Sequence, residues 1–227
     1  MSLPVFQNQD LLITALTHRS ALNERLSTSP ESNERLEFLG DAVLELATTQ
    51  FLYNKLPHDQ EGMLTAYRSA LVKTTTLAEV ASSLGLGKKL FMSKGEESSG
   101  GRQNAGLLAN AMEAFLGALY LDQGYQVVYS FLEQQLFPRL AEIQSKKLYK
   151  DPKSQLQELV QSQGFGAPEY MVVAEEGPDH DRSFTVQVKV GGVVAGEGTG
   201  KSKQLAQQEA AQKVLDHSAS ALEQIPK

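Results

Sequence analysis

A chain of 227 residues, 41% hydrophobic and 21% charged, has the composition of a globular protein and the length for one large or two modest domains. With no cysteine it can form no disulfide and no thiolate metal site; its opening, MSLPVFQNQD, lacks the basic-then-apolar order of a signal peptide, and its longest apolar run is shorter than the ~20 residues of a membrane span. A formal charge of −6, shared as 13 Lys/Arg against 16 Asp/Glu over residues 1–148 and 8 against 11 over 149–227, excludes a broad basic footprint, so any nucleic-acid binding must come from local clusters.

In chain order, LLITALTHRSAL (11–22) repeats its apolar positions at three and four and predicts a helix. NERLEFLGDAVLEL (33–46) predicts another. At about 100° per residue, Glu34, Glu37, Asp41 and Glu45 share one stripe, and Leu36, Leu39, Val43, Leu46 and Ala47 make the face to be buried. LTAYRSALVKTTTLAEVASSLGL (64–86) reads as one helix stopped by Gly85 and Gly87, and SKGEESSGGRQNAG (93–106) as a polar loop. LLANAMEAFLGALYL (107–121) is apolar almost all round; only Asn110 and Glu113 break it, three residues apart and so on one face. A last helix spans 125–144, kinked at Pro138.

The pattern changes at the basic connector SKKLYKDPK (145–153). Helix SQLQELVQSQG (154–164), alternating stretches PEYMVVAEE and RSFTVQVKV, a Gly-Gly turn, VVAGEG and helix 203–219 follow, an α-β-β-β-α order. The expected organisation is an all-α domain over 1–146, a linker at 147–152, a small α+β domain over 153–219 and a frayed tail at 220–227.

A carboxylate on an apolar helix is expensive unless it has a partner. Glu34 and Glu37 have a simple alternative role, since acids suit the first turn of a helix, and Glu45 is assigned to a solvated face. Asp41 lies too deep for the dipole and follows Gly40, which permits close helix packing. Glu113 has no such alternative. If the two stripes face each other, Glu37, Asp41, Asn110 and Glu113 form a cluster of oxygen ligands suited to Mg²⁺, or to Mn²⁺ in its place. Such a centre supports phosphodiester hydrolysis by activating a bound water and stabilising the leaving oxygen. Phe38 sits beside the acids and off the main apolar face, at the edge of the core or exposed for a partner.

AGEGTGKS (195–202) resembles a phosphate-binding P-loop, but Ala195 replaces the first glycine, the neighbouring strands read as hairpins, and too few residues follow for a nucleotide domain. No nucleotide cofactor is expected. A helix N-terminus with nearby lysines still attracts other phosphates. His18, His58 and His217 make no metal spacing, His18 reads as structural, and no Ser–His–Asp arrangement is present.

ERLEFLGDAVL, together with THRS (17–20), EGMLTAYRSALV (61–72), LAEVASSLGLG (77–87), KGEESSGGR (94–102) and EAFLGALYLDQG (113–124), resembles the ribonuclease III family of double-stranded RNA endonucleases. The resemblance implies a dimerising all-α endonuclease domain. It places the metal site on Glu37, Asp41, Asn110 and Glu113, with Glu34 and Glu61 as further acids lining the catalytic valley. Family members are homodimers whose two sites each cut one strand, giving 5′-phosphate and 3′-hydroxyl ends with a short 3′ overhang, as in rRNA and mRNA precursor processing in the cytoplasm. Phe38 is then a dimer contact. Asn110 departs from the family's usual Asp, which lowers the charge of the site. The alternative implied is a double-stranded RNA-binding protein with impaired or absent cleavage.

Residues 150–217 resemble the double-stranded RNA-binding domain. By that resemblance Gln157 and Glu158 approach one minor groove, His180 the next, and Lys201, Ser202 and Lys203 clasp phosphates between them. The usual second basic residue after the Ser is here Gln204, so binding by this module alone is expected to be weak and salt-sensitive.

Overall fold

The computed structural model describes residues 3–24, 26–178 and 182–217. The chain divides into two compact units, residues 1–149 and 150–227. The expected tail at 220–227 lies outside the described residues.

The first unit is helical. The helix expected over 11–22 is two, α1 (Gln9–Ala15) and α2 (Arg19–Asn23). The break is tertiary in origin. Leu16 and His18 exchange backbone hydrogen bonds with Phe91 at 2.8 and 2.9 Å, and the Thr17 hydroxyl turns back to Ile13 O at 2.7 Å. After α3 (Glu34–Lys55), the helix expected over 64–86 is also two, α4 (Glu61–Val72) and α5 (Thr74–Ser83). Lys73 between them is extended, and the buried Thr76 hydroxyl donates to Ala70 O at 2.9 Å across the corner. Gly85 then takes φ 71°, a left-handed value that favours glycine, and starts the short α6 (Leu86–Lys89).

The polar segment 93–106 is more ordered than a loop. It holds α7 (Lys94–Ser98), N-capped by Ser93, and a 3-10 turn at Gly101–Gln103. Arg102 fixes it, donating through Nη1 to the carbonyls of Gly87 and Leu90 at 2.9 Å each and pairing with Glu97 at 2.6 Å. α8 (Ala105–Gln123) follows, capped by Asn104. The expected kinked helix is instead interrupted: α9 (Tyr125–Gln135) ends before Pro138, which becomes the N-cap of α10 (Arg139–Ser145). Proline has no N–H to continue a helix, and the first-turn region is where it costs least.

α8 is the axis of this unit. A helix that is apolar almost all round must be surrounded, and α1, α3, α5 and α9 pack about it. Phe115, fully buried at its centre, meets Phe6 edge-on and Phe131 at a tilt, with ring centroids 5.4 Å apart in each case. α3 lies closest. A Cβ built on Gly40 would fall 1.7 Å from Glu113 O, and one on Gly117 would fall 2.2 Å from Leu36 O. The two helices therefore touch backbone to backbone, and only because both crossing residues are glycine.

The second unit comprises α11 (Pro152–Ser162), β1 (Glu169–Glu176), β2 (Ser183–Val190), β3 (Val193–Gly200) and α12 (Lys203–Asp216), with the sheet antiparallel in the order β1-β2-β3. Val186 pairs with Val172 and Gly198, while Leu156, Val160, Val188, Val190 and Val214 make the core between sheet and helices. β2 and β3 form a hairpin, which is incompatible with the parallel crossover of a P-loop domain. Among the described residues no helix is long and apolar enough to cross a membrane.

Candidate active site

The crossing of α3 and α8 brings the two polar stripes together. Glu34 and Glu37 occupy the first turn of α3, Asp41 the next, and Asn110 and Glu113 face them from α8. The Asn110 side chain lines the same hollow as Glu37. Burial raises the Glu37 carboxyl above its usual range, with Glu34 adding to the rise, Asn110 opposing it and Asp41 adding a little more. Glu113 is half-buried and is pushed up to about 7, first by burial and then by Asp41 and Glu37. Three carboxylates thus crowd one corner and repel one another.

Among the described residues no three His, Asp or Glu side chains close into a ready-made ion cage. The chemistry of the donor set nevertheless fits a hard divalent cation. Mutually repelling oxygens draw in when a cation joins them, one of the four donors is an amide, and Mg²⁺ keeps several waters where protein ligands are few. A cation entering here would also displace the proton that Glu113 holds near neutrality.

The hollow beside Glu37 and Asn110 is walled by His18, Arg19, Glu34 and Leu90. Glu34 lies 3.5 Å from the exposed Arg19 guanidinium and accepts from Ser32 Oγ at 2.9 Å, so it sits at the rim. His18 caps α2 and bonds Ser20 Oγ through Nδ1 at 2.8 Å, a structural role next to the acids. Arg19 is a neighbour of the acids that periodicity alone does not mark.

Other expected residues fall elsewhere. Glu61 begins α4, accepts from Thr65 at 3.1 Å and lines a separate hollow with Thr49, Tyr53 and Arg68, so the fold of one chain does not bring it to the acid cluster. Glu45 is paired with Arg68 at 3.0 Å rather than simply solvated. Leu46 was expected in the buried face of α3 but is 58% exposed, and Leu44 is buried in its place. Phe38 is 83% exposed. With Ala42, Leu46 and Tyr53 it forms an apolar stripe along the outside of α3.

In the second unit Gln157 and Glu158 are exposed on α11, Glu158 pairing with Lys150 at 2.5 Å. Ser202 caps α12 by accepting from Leu205 N at 3.2 Å. Lys201 and Lys203 are exposed beside it, and Lys203 pairs with Glu175 at 2.8 Å. His180 lies outside the described residues.

Two family models match the chain: "Ribonuclease-III-like" over residues 8–140 and "Double-stranded RNA binding motif" over 152–217. Ribonuclease 3 of Geobacillus thermodenitrificans is 49% identical over 211 residues, covering 93% of this chain and 85% of that protein. Ribonuclease 3 of Pelotomaculum thermopropionicum is 47% identical over 210 residues, covering 92% and 87%. Among solved structures, the nuclease domain of ribonuclease III from Campylobacter jejuni, described as flexible in a region involved in dimer formation, aligns with a TM-score of 0.54 at 40% identity, covering 59% of this chain and 92% of that one.

Proposed function

The chain belongs to the ribonuclease III family of double-stranded RNA endoribonucleases, and we propose that it cleaves duplex RNA with Mg²⁺ held between α3 and α8 by Glu37, Asp41, Asn110 and Glu113. The observation that carries this reading is Glu113: a half-buried carboxyl on an otherwise apolar helix, set against two more carboxylates. The family is metal-dependent, and the bound cation would supply a water of lowered pKa and a Lewis acid for the leaving oxygen. The side chains divide the remaining work. Glu113 and Glu37, fixed by packing, orient the site from its floor; the exposed Asp41 faces the side from which a phosphodiester approaches; Asn110 contributes one oxygen and no charge. Glu34 is assigned as a supporting acid at the rim of the cleft; Glu61, which one chain holds in a separate hollow, is assigned to the cleft that two protomers would form together. Mn²⁺ serves as a substitute, and the products are 5′-phosphate and 3′-hydroxyl ends. Precursors of rRNA and mRNA in the cytoplasm are the proposed substrates.

Asn110 tunes this site. Restoring a fourth charge by Asn110→Asp strengthens the hold on the cation, and we expect half-maximal cleavage at a Mg²⁺ concentration about tenfold lower, in line with what a single change near a metal can do. Titrating Mg²⁺ against initial cleavage rate for both proteins checks it; an unchanged midpoint removes Asn110 from the site. Incubation of the unmodified protein with duplex RNA and either metal tests the whole reading. Retardation without products under both metals would favour the binding-only alternative.

A staggered cut through both strands needs two sites, so we propose a homodimer built on the α3 stripe, with Phe38 at its centre. An isolated exposed aromatic flanked by Ala42 and Leu46 is the kind of anchor that dominates an interface. Phe38→Asp is expected to weaken self-association by about a hundredfold, read by sedimentation, while leaving the helical content unchanged. Gln157, Glu158, His180, Lys201, Ser202 and Lys203 are proposed to contact the duplex, reading shape and 2′-hydroxyls.

A further inference from the structure

The second unit carries more acid than base, yet its RNA face depends on a few cations at the start of α12. Lys203 is the first residue of that helix, and its ammonium is already engaged. Glu175, near the end of β1, holds it at 2.8 Å, and the guanidinium of Arg182 lies 3.7 Å from the same carboxylate. The ammonium also lies 5.4 Å from the centroid of the Phe184 ring, which confines it over the β1–β2 end of the sheet. Glu175 is held below the usual carboxylate range, chiefly by its hydrogen bond with Lys203. All three charged side chains remain about 40 to 55% exposed, so nothing in the core requires the pair.

We propose that Glu175 is an internal competitor for RNA: its carboxylate occupies Lys203 where a backbone phosphate would sit, and duplex binding must displace it. This rests on the reading of the α12 N-terminus as a phosphate contact. The chemistry favours exchange. A phosphate diester offers Lys203 the same charge as the carboxylate, and the helix N-terminus beside Ser202 adds a field that Glu175, on a neighbouring strand, exploits less directly. An exposed ion pair is weak enough to be broken by such a ligand, and its loss has a correspondingly modest effect. Glu175 thereby sets the affinity of the module low, so that the duplex is released readily.

The test is duplex binding by the full chain in EDTA, where cleavage is blocked, using a labelled RNA duplex at low ionic strength. Glu175→Gln is expected to tighten binding about two- to fivefold. Glu176→Gln, a change at the neighbouring carboxylate, which makes no ion pair among the described residues, controls for the general loss of negative charge and should do distinctly less. Lys203→Gln should weaken binding, and in the Glu175→Gln background it should cancel the gain. Weaker or unchanged binding by Glu175→Gln overturns the inference, as does an equal gain from Glu176→Gln or a gain that survives Lys203→Gln. If Lys203→Gln weakens binding but Glu175→Gln gives no gain, the competitor role fails and the phosphate contact stands. If Lys203→Gln has no effect in either background, both fail.

Discussion

Replacing Glu113 by Gln is expected to remove duplex cleavage, lowering the rate at saturating Mg²⁺ by at least about a hundredfold, while duplex binding in EDTA stays within about twofold. The substitution keeps the shape and hydrogen-bonding length of the side chain. It takes away a negative charge from the floor of a site where Glu37 and Asp41 supply the others. Cation affinity should fall with that charge, so raising Mg²⁺ recovers only part of the activity. Folding should not suffer, because an uncharged amide relieves both the cost of burying a charge and the repulsion from Asp41 and Glu37, which together push the Glu113 carboxyl up to about 7. Melting in metal-free buffer at pH 8 should therefore be no lower than that of the unmodified protein. Single-turnover cleavage alongside gel retardation checks the claim, and near-normal cleavage would remove Glu113 from the chemistry.

The second large effect is expected at a residue with no side chain. Gly40→Ala puts a methyl group 1.7 Å from the carbonyl oxygen of Glu113. That obstacle is main chain in the most buried helix of the unit, so no rotamer change relieves it. α3 and α8 must separate, opening the core around Phe115 and moving Glu37 and Asp41 away from Glu113. The cost is expected to reach about 3 kcal/mol, the upper end of overpacking, and the melting temperature to drop by about 6–12 °C. Cleavage should be lost at temperatures where the variant is still folded, since positioning to within a fraction of an ångström is what such a site requires. Gly62→Ala is the matched control. It lies in α4 with open space around its Cβ, and it should be neutral or stabilising by up to about 1 kcal/mol. If Gly40→Ala melts like Gly62→Ala, the crossing does not depend on glycine.

Much of the acid site was legible because burial leaves a periodic trace. An amide and a carboxylate three apart on a helix with no other polar position demanded an explanation, and so did a stripe of acids on the helix at 34–46. The signature stretches then pointed to one family. Gly117 was missed, since a lone glycine in an apolar run has no local signal. Its meaning appears only beside Gly40, across 77 positions of sequence. The same limit explains the helix breaks. Thr17 looks helical in its window, and it is Phe91, far along the chain, that pairs with the backbone on either side of it. The corner at Lys73 is local, spanned by the Thr76 hydroxyl on Ala70 O, but an apolar period that continues through it does not mark it.

The amino-acid sequence by itself settled the helical character of the first unit, the α-β-β-β-α order of the second, the absence of thiol chemistry, and the acids that must find a partner. These are local matters: propensity, side-chain period and charge act within a few residues. The packed molecule settled the rest. It set the backbone contact that turns two stripes into one cluster, sent Glu61 to a different hollow, paired Glu45 with Arg68, turned Leu46 outward and gave Lys203 to Glu175. Each of these depends on residues distant in the chain, and close packing of a core admits far fewer arrangements than periodicity alone can distinguish.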